Sequence, residues 1–281
     1  MWLSRAYGVP GLSSDEHKRL KYITPEEYRA HLVAQSRGGA VPRWNGSLLY
    51  PAKVPDLIGI KDRKYIDHTA NAAQQRNRRS DALCGTGQFR RDHPVWTAQC
   101  ARRGRPTSEG AAVGPVLYSL ALYLQSREPP ANPNPVSDSS KDGEAIFKRE
   151  GCAGCHPAPL YSTNKLTLAL GFQPERATPN TLDILPTSVG TDPGLALRTR
   201  KGTGYYKIPS LKGLWYRGHY LHDGSAASLE EMFDPTRLSE SYKPKGYLAP
   251  GATSRAIPGH AFGLKLSPAE KMHLIAFLRT L

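Results

Sequence analysis

The chain has 281 residues, enough for one large or two modest domains with a buried core, and its 26 Gly and 24 Pro point to many loops and turns. No apolar run is long enough to cross a bilayer, and the longest, "AAVGPVLYSLALYL", is broken by Gly114 and Pro115. The formal charge of +14 raises the question of a nucleic-acid partner, but the excess is densest in one patternless stretch with no nucleic-acid module around it, so none is expected.

The opening residues, "MWLSRAYGVPGLSSDEHKRLKY", contain no apolar stretch followed by a cleavage site, so no secretory signal is expected. A first helix is predicted over "TPEEYRAHLVAQS", with Thr24 as N-cap, Pro25 at N1 and Glu27 at N3. The passage "YPAKVPDLIGIKDRKYID" reads as an extended, proline-punctuated connection. The basic stretch follows: Arg76, Arg78, Arg79, Arg90, Arg91, Arg102, Arg103 and Arg105 face only Asp81, Asp92 and Glu109, as in a solvated loop. Helical periodicity returns through Val116, Leu117, Leu120 and Leu124 and stops at "REPPANPNPVSDSS". The Pro, Asn and Ser of this run mark a linker at residues 129–140, which separates an irregular helical region, 1–128, from a second domain, 141–281.

The second domain opens with a short helix over "SSKDGEAIFKREG", capped by Ser139 or Ser140. It closes with "SPAEKMHLIAFLRTL", where Ser267, Pro268 and Glu270 form a capping box and Leu274, Ile275, Leu278 and Leu281 supply an apolar stripe. Between the two lie loops rich in Gly, Pro and Tyr with almost no strand signal. Two helices around so much loop make a thin core, which calls for a further body to fill it.

The sequence "REGCAGCHPAPL" names that body. Cys152, Cys155 and His156 form Cys-x-x-Cys-His, the attachment pattern of c-type haem. Residues three apart share one face of a helical turn, so both thiols reach the vinyl groups of one haem and His156 meets the iron as axial ligand. One covalent haem c is therefore expected, inside an all-α, loop-rich, cytochrome c-like domain. A zinc site would need a second pair, and the spacing of Cys84 and Cys100 matches no common zinc pattern. A thioredoxin-like pair would need a βαβ context, which is missing. Cys84 and Cys100 read equally as a disulfide or as separate thiols.

For the second axial ligand the first candidate is His260, in a Pro-Gly loop just before the final helix; Met232 in "LEEMFDP" is the alternative. His219 and His222 rank lower, and Met272 and His273 read as helix packing. Lys212 or Arg217 is expected to neutralise a propionate. Tyr205, Tyr206, Trp215 and Tyr216 are candidates for the haem edge.

The stretch "KIPSLKGLWYRGHYLHDGSAASLEEMFDP", with a final helix ending "LIAFLRTL", resembles the second haem domain of the bacterial di-haem cytochrome c peroxidase superfamily, which includes methylamine-utilisation di-haem proteins and haem rubber oxygenases. Pro209 to Lys212 and His222 to Ser225 carry most of the match, and "VLYSLALYLQSREPP" resembles the end of such a family's first haem domain. The resemblance implies that residues 1–128 are a partial or degenerate first domain without its haem motif, and that the His-Asp-Gly element is structural rather than axial. It also implies a periplasmic location and a redox partner protein or small electron donor. The function expected is electron transfer through one haem, with a peroxidase or dioxygenase as the alternative. The segment Asn77–Gly110 falls outside the resemblance, and its composition is that of an out-of-frame reading of a GC-rich gene.

Overall fold

The computed structural model describes residues 40–43, 47–70, 119–120, 122–174, 184–185, 187–198, 203–248 and 253–281. The helix expected after Thr24, the arginine-rich stretch, Cys84 and Cys100 lie outside the described residues.

Two antiparallel-capable amphipathic segments make the scaffold. Helix α1 (Asp138–Arg149) is capped earlier than expected, by neither Ser139 nor Ser140: Ser137 is the N-cap, and Ser140 is the N3 partner that returns a bond to it. Such reciprocal satisfaction needs polar side chains three apart, as Ser137 and Ser140 are. The last helix, named α4 below (Pro268–Arg279), starts as expected, with Ser267 and Glu270 closing a capping box and Pro268 preset for the first turn. The two helices meet through Ile146, Phe147, Leu274, Ile275, Phe277 and Leu278, all buried in one cluster. Gly143 permits the close crossing: a Cβ there would stand 2.0 Å from the carbonyl oxygen of His273. His273 also pairs with Asp142 across the crossing at 3.3 Å, whereas Met272, expected to pack, is 62% exposed.

The rest is loop, pinned by short elements. Strands β1 (Ala40–Arg43) and β2 (Ser47–Lys53) form an antiparallel pair. Strands β3 (Leu166–Leu168), β4 (Ile184–Leu185) and β5 (Tyr205–Lys207) form a three-stranded sheet in the order β4-β3-β5. The expectation of an all-α fold omitted these strands. Segments of two or three residues are too short to show an alternating pattern, and they pair because distant backbone groups need partners. Helices α2 (Gly194–Arg198) and α3 (Leu229–Met232) are single turns, the latter capped by Ser228.

Residues preceding the linker pack into this unit. The Lys53 amide donates to the His222 carbonyl at 2.8 Å, and the Lys207 amide to the His68 carbonyl at 2.9 Å. Asn164 accepts from the Lys64 amide and donates to the Asp62 carbonyl, both at 3.0 Å. Ala52 joins the cluster of Ala169, Leu195, Ala196 and Tyr206, and Tyr65 that of Leu166 and Tyr205. The linker is fastened as well: Asn132 donates to the Arg279 carbonyl at 2.9 Å, at the end of α4.

Candidate cofactor cavity

After α1 the chain reverses at Gly151, whose φ of 76° lies in the left-handed region, and enters a 3₁₀ turn over Cys152–Gly154. The His156 amide closes this turn on the Cys152 carbonyl at 2.9 Å. Cys152 and Cys155 are half-buried free thiols, and both line a deep cavity between the helix pair and the loop region, as does His156. Burial, followed by the nearby Glu150 carboxylate, pushes the Cys152 thiol up to about 11; burial also raises Cys155. Both are therefore protonated near neutrality.

His156 is buried, and its Nδ1 stands 3.0 Å from the Tyr161 carbonyl. Burial lowers its proton affinity to about 4, so the ring is neutral at pH 7, Nδ1 occupied by the carbonyl and Nε2 left for another role. The carbonyl comes from Tyr161 in the loop after the motif, with Pro209 of "KIPSLKG" also acting on the ring.

His260 lines the same cavity. Its pKa falls to about 4 through burial, then the proximity of His156 and Arg237, and its Nδ1 meets no hydrogen-bonding partner among the described residues. The backbone holds the ring in place. His260 sits at φ 50°, its amide donating to the Val189 carbonyl at 2.7 Å. Before it, Gly259 at φ 77° lies so close to Gly190 and Thr191 that a Cβ would stand 2.2 Å from the Thr191 amide nitrogen.

Arg237 fixes this loop from behind. Its side chain is 0% exposed and donates to the carbonyls of Met232 (2.9 Å), Gly259 (2.8 Å), His260 (2.9 Å) and Ile257. Desolvation lowers its pKa, yet carbonyl oxygens surround the guanidinium. Met232 also reaches the cavity, while its side chain packs in a cluster with Ala226 and Ile257.

Other expected residues divide. His222 lines the cavity, stacked on Tyr206 at 4.6 Å, whereas His219 does not line it and faces the Gly224 carbonyl. Asp223, which follows His222, is buried on Arg255, and its carboxyl is held below the usual range by His222 and Arg255 against the opposing effect of burial. Arg217 reaches the cavity and Lys212 does not. Of the four aromatics, Tyr206 lines it, Tyr205 is core, Trp215 borders a second cavity, and Tyr216 is 66% exposed.

The sequence reading missed Lys53, Asp56, Arg63, His68 and Lys207, which also line the cavity. Nothing in "KVPDLIGIKDRK" distinguishes such charges from solvated ones; the only hint is the run of apolar residues between them. Among the described residues no group of three or more His, Cys, Asp or Glu is placed to hold a metal ion, and no helix is long and apolar enough to cross a membrane.

No family profile matches the chain. It is 30% identical over 164 residues to cytochrome-c peroxidase IdrP1 of Denitromonas iodatirespirans, covering 52% of this chain and 41% of that protein. It is 29% identical over 174 residues to cytochrome-c peroxidase IdrP1 of Pseudomonas sp. (strain SCT), covering 53% and 41%. The chain thus spans about two-fifths of the length of these curated relatives. Among solved structures, the diheme peroxidase BthA from Burkholderia thailandensis E264 is similar at 21% identity and a TM-score of 0.37, over 66% of this chain and 55% of that one. The likeness to these two peroxidase sequences bears out the resemblance to the di-haem cytochrome c peroxidase superfamily.

Proposed function

We propose that the region around residues 141–281 is a c-type cytochrome unit that holds one haem covalently and transfers electrons, exchanging them with a redox partner protein or small donor. The observation that carries this reading is the meeting of Cys152, Cys155, His156 and His260 on one cavity. Each thiol would add across a vinyl group, its hydrogen going to the neighbouring carbon, which needs no net oxidant. When bound, the haem supplies a one-electron couple.

The residues of the chain do the rest. The Gly151 turn presents both sulfurs to the cavity. Tyr161 holds His156 Nδ1 and so orients Nε2 as the metal-binding nitrogen. His260, kept neutral by burial, is the candidate second ligand; Met232 is the alternative, supported by its place on the cavity wall. Ligands on both sides would leave no open position for a substrate, which favours electron transfer. Because haem attachment of this kind takes place outside the cytoplasmic membrane, the protein would work in the periplasm.

The relatives' names favour a second reading, a peroxidase or dioxygenase in which a small oxidant reaches the cavity. The separating experiment is expression with haem-attachment machinery. A pyridine haemochrome spectrum of c type and a mass increase of one haem are expected; colourless protein of unmodified mass overturns both readings. With haem present, a reduced spectrum unchanged by carbon monoxide supports electron transfer, and a strong shift supports the enzyme. His260→Ala is expected to convert low-spin to high-spin iron, and a variant that stays low-spin removes His260 as ligand.

A further inference from the structure

The charged lining of the cavity is unbalanced. Lys53, Arg63, Lys207 and Arg217 face it, with the Asp56 carboxylate as the one anion among its described lining residues. Arg63 and Arg217 both pair with Asp56, the latter at 3.1 Å, in a region where their side chains are only 8% and 11% exposed. The two lysines are half-buried and reach backbone oxygens: Lys53 the His219 carbonyl, Lys207 those of Tyr65 and Ile66. Cations thus outnumber carboxylates on the described lining of a largely apolar enclosure, which suits it to an anion.

The groups form one cluster. Burial and then Arg217 push Lys53 down to about 8, and burial and then Arg63 do the same to Lys207, so each cation weighs on its neighbours. The sulfurs sit on the turn that follows α1, whereas the cations come from residues 53–63, from β5 and from the loop after it, so the two groups belong to different elements of the cavity wall.

A porphyrin of the haem type carries vinyl groups on one edge and two carboxylates on the opposite edge. We infer that Lys53, Arg63, Lys207 and Arg217 form the seat of the haem's two propionates, with half of that seat supplied by residues that precede the linker. This rests on the haem reading above. Two carboxylates would offset this cationic lining and would receive charge-assisted hydrogen bonds from donors already buried and held. Asp56 takes no part in holding the anion; it fixes the two arginines between which the anion lies.

The test uses porphyrin binding rather than turnover. In the full chain carrying Cys152→Ala and Cys155→Ala, haem binds without attachment, and its affinity is compared with that of haem dimethyl ester, whose carboxylates are masked. The free acid is expected to bind roughly tenfold tighter or more. Adding Lys53→Met or Lys207→Met is expected to remove most of that preference, with little change in affinity for the ester. In the attached holoprotein the same two substitutions are expected to lower the midpoint potential, because a lost cation favours the ferric state, whereas Lys53→Arg holds it near the parent value. Equal affinity for acid and ester overturns the seat while leaving the haem reading intact. Failure of both porphyrins to bind, together with unmodified mass of the matured parent, overturns both. If a lysine variant fails to fold, the comparison of acid and ester on the cysteine-free chain still decides.

Discussion

The crossing of α1 and α4 and the loop region that carries His260 face each other across the cavity and are built by opposite means. The helix crossing is apolar: each helix is capped locally, and the two, distant in sequence, bury one stripe against the other. The loop region is polar. Its backbone is fastened by buried cations, Arg237 to the carbonyls around His260, Arg217 to those of Ser210 and Lys212, and Arg63 to those of Asp56 and Ile58. The lesson is that a chain short of apolar core can still fix a site if guanidinium groups, donating to backbone oxygens, take over the role of packing.

This contrast can be broken. Cys152→Ala with Cys155→Ala should abolish covalent attachment completely, read as loss of the haem mass. If the loop region also depends on the bound group, its amide exchange should rise while α1 and α4 stay protected. Next in size, Arg237→Met strands four carbonyl acceptors and should cost about 3 kcal/mol in chemical unfolding. Its exchange should increase around Ile257–His260 first, and protection lost first in the helices would deny the division. Gly143→Ala should do the reverse: with a Cβ 2.0 Å from the His273 carbonyl the helices must part, at about 2 kcal/mol, with the loss centred on α1 and α4.

Smaller effects sharpen the helical side. Ser267→Ala removes the cap of α4 and should cost about 1 kcal/mol by thermal or urea unfolding. The Glu270 carboxyl is lowered to about 2, first by the Ser267 amide and then by Arg149 and the Ser267 hydroxyl. Its folded pKa lies below its ordinary 4.5, so its support is complete above pH 4.5 and is lost as pH falls through about 2. Stability measured between those values should decline less steeply in Glu270→Gln than in the parent; identical curves would remove this contribution.

The same contrast explains what could be read from sequence. The final helix, its cap and the cysteine turn follow from short-range spacing, and Cys152, Cys155, His156 and His260 all reach one cavity. Spacing could not reveal the strands, because Leu166–Leu168 and Tyr205–Lys207 are each three residues long and are paired across the chain. Nor could it reveal Lys53, Asp56, Arg63 or Lys207 on the cavity wall, since a charge run looks alike whether solvated or enclosed. Arg237 gave no signal for the same reason: its partners are carbonyl oxygens, which every residue carries.

The docking of residues 51–69 onto the later part of the chain has a consequence for biosynthesis. Translation delivers Lys53 and Arg63 long before the cysteine turn emerges, so this early ribbon has to wait for the partner surface it will cover. Swapping modules at the proline-rich junction would hand the recipient a unit stripped of part of its wall, whereas an exchange that carries the early ribbon along would transplant it whole.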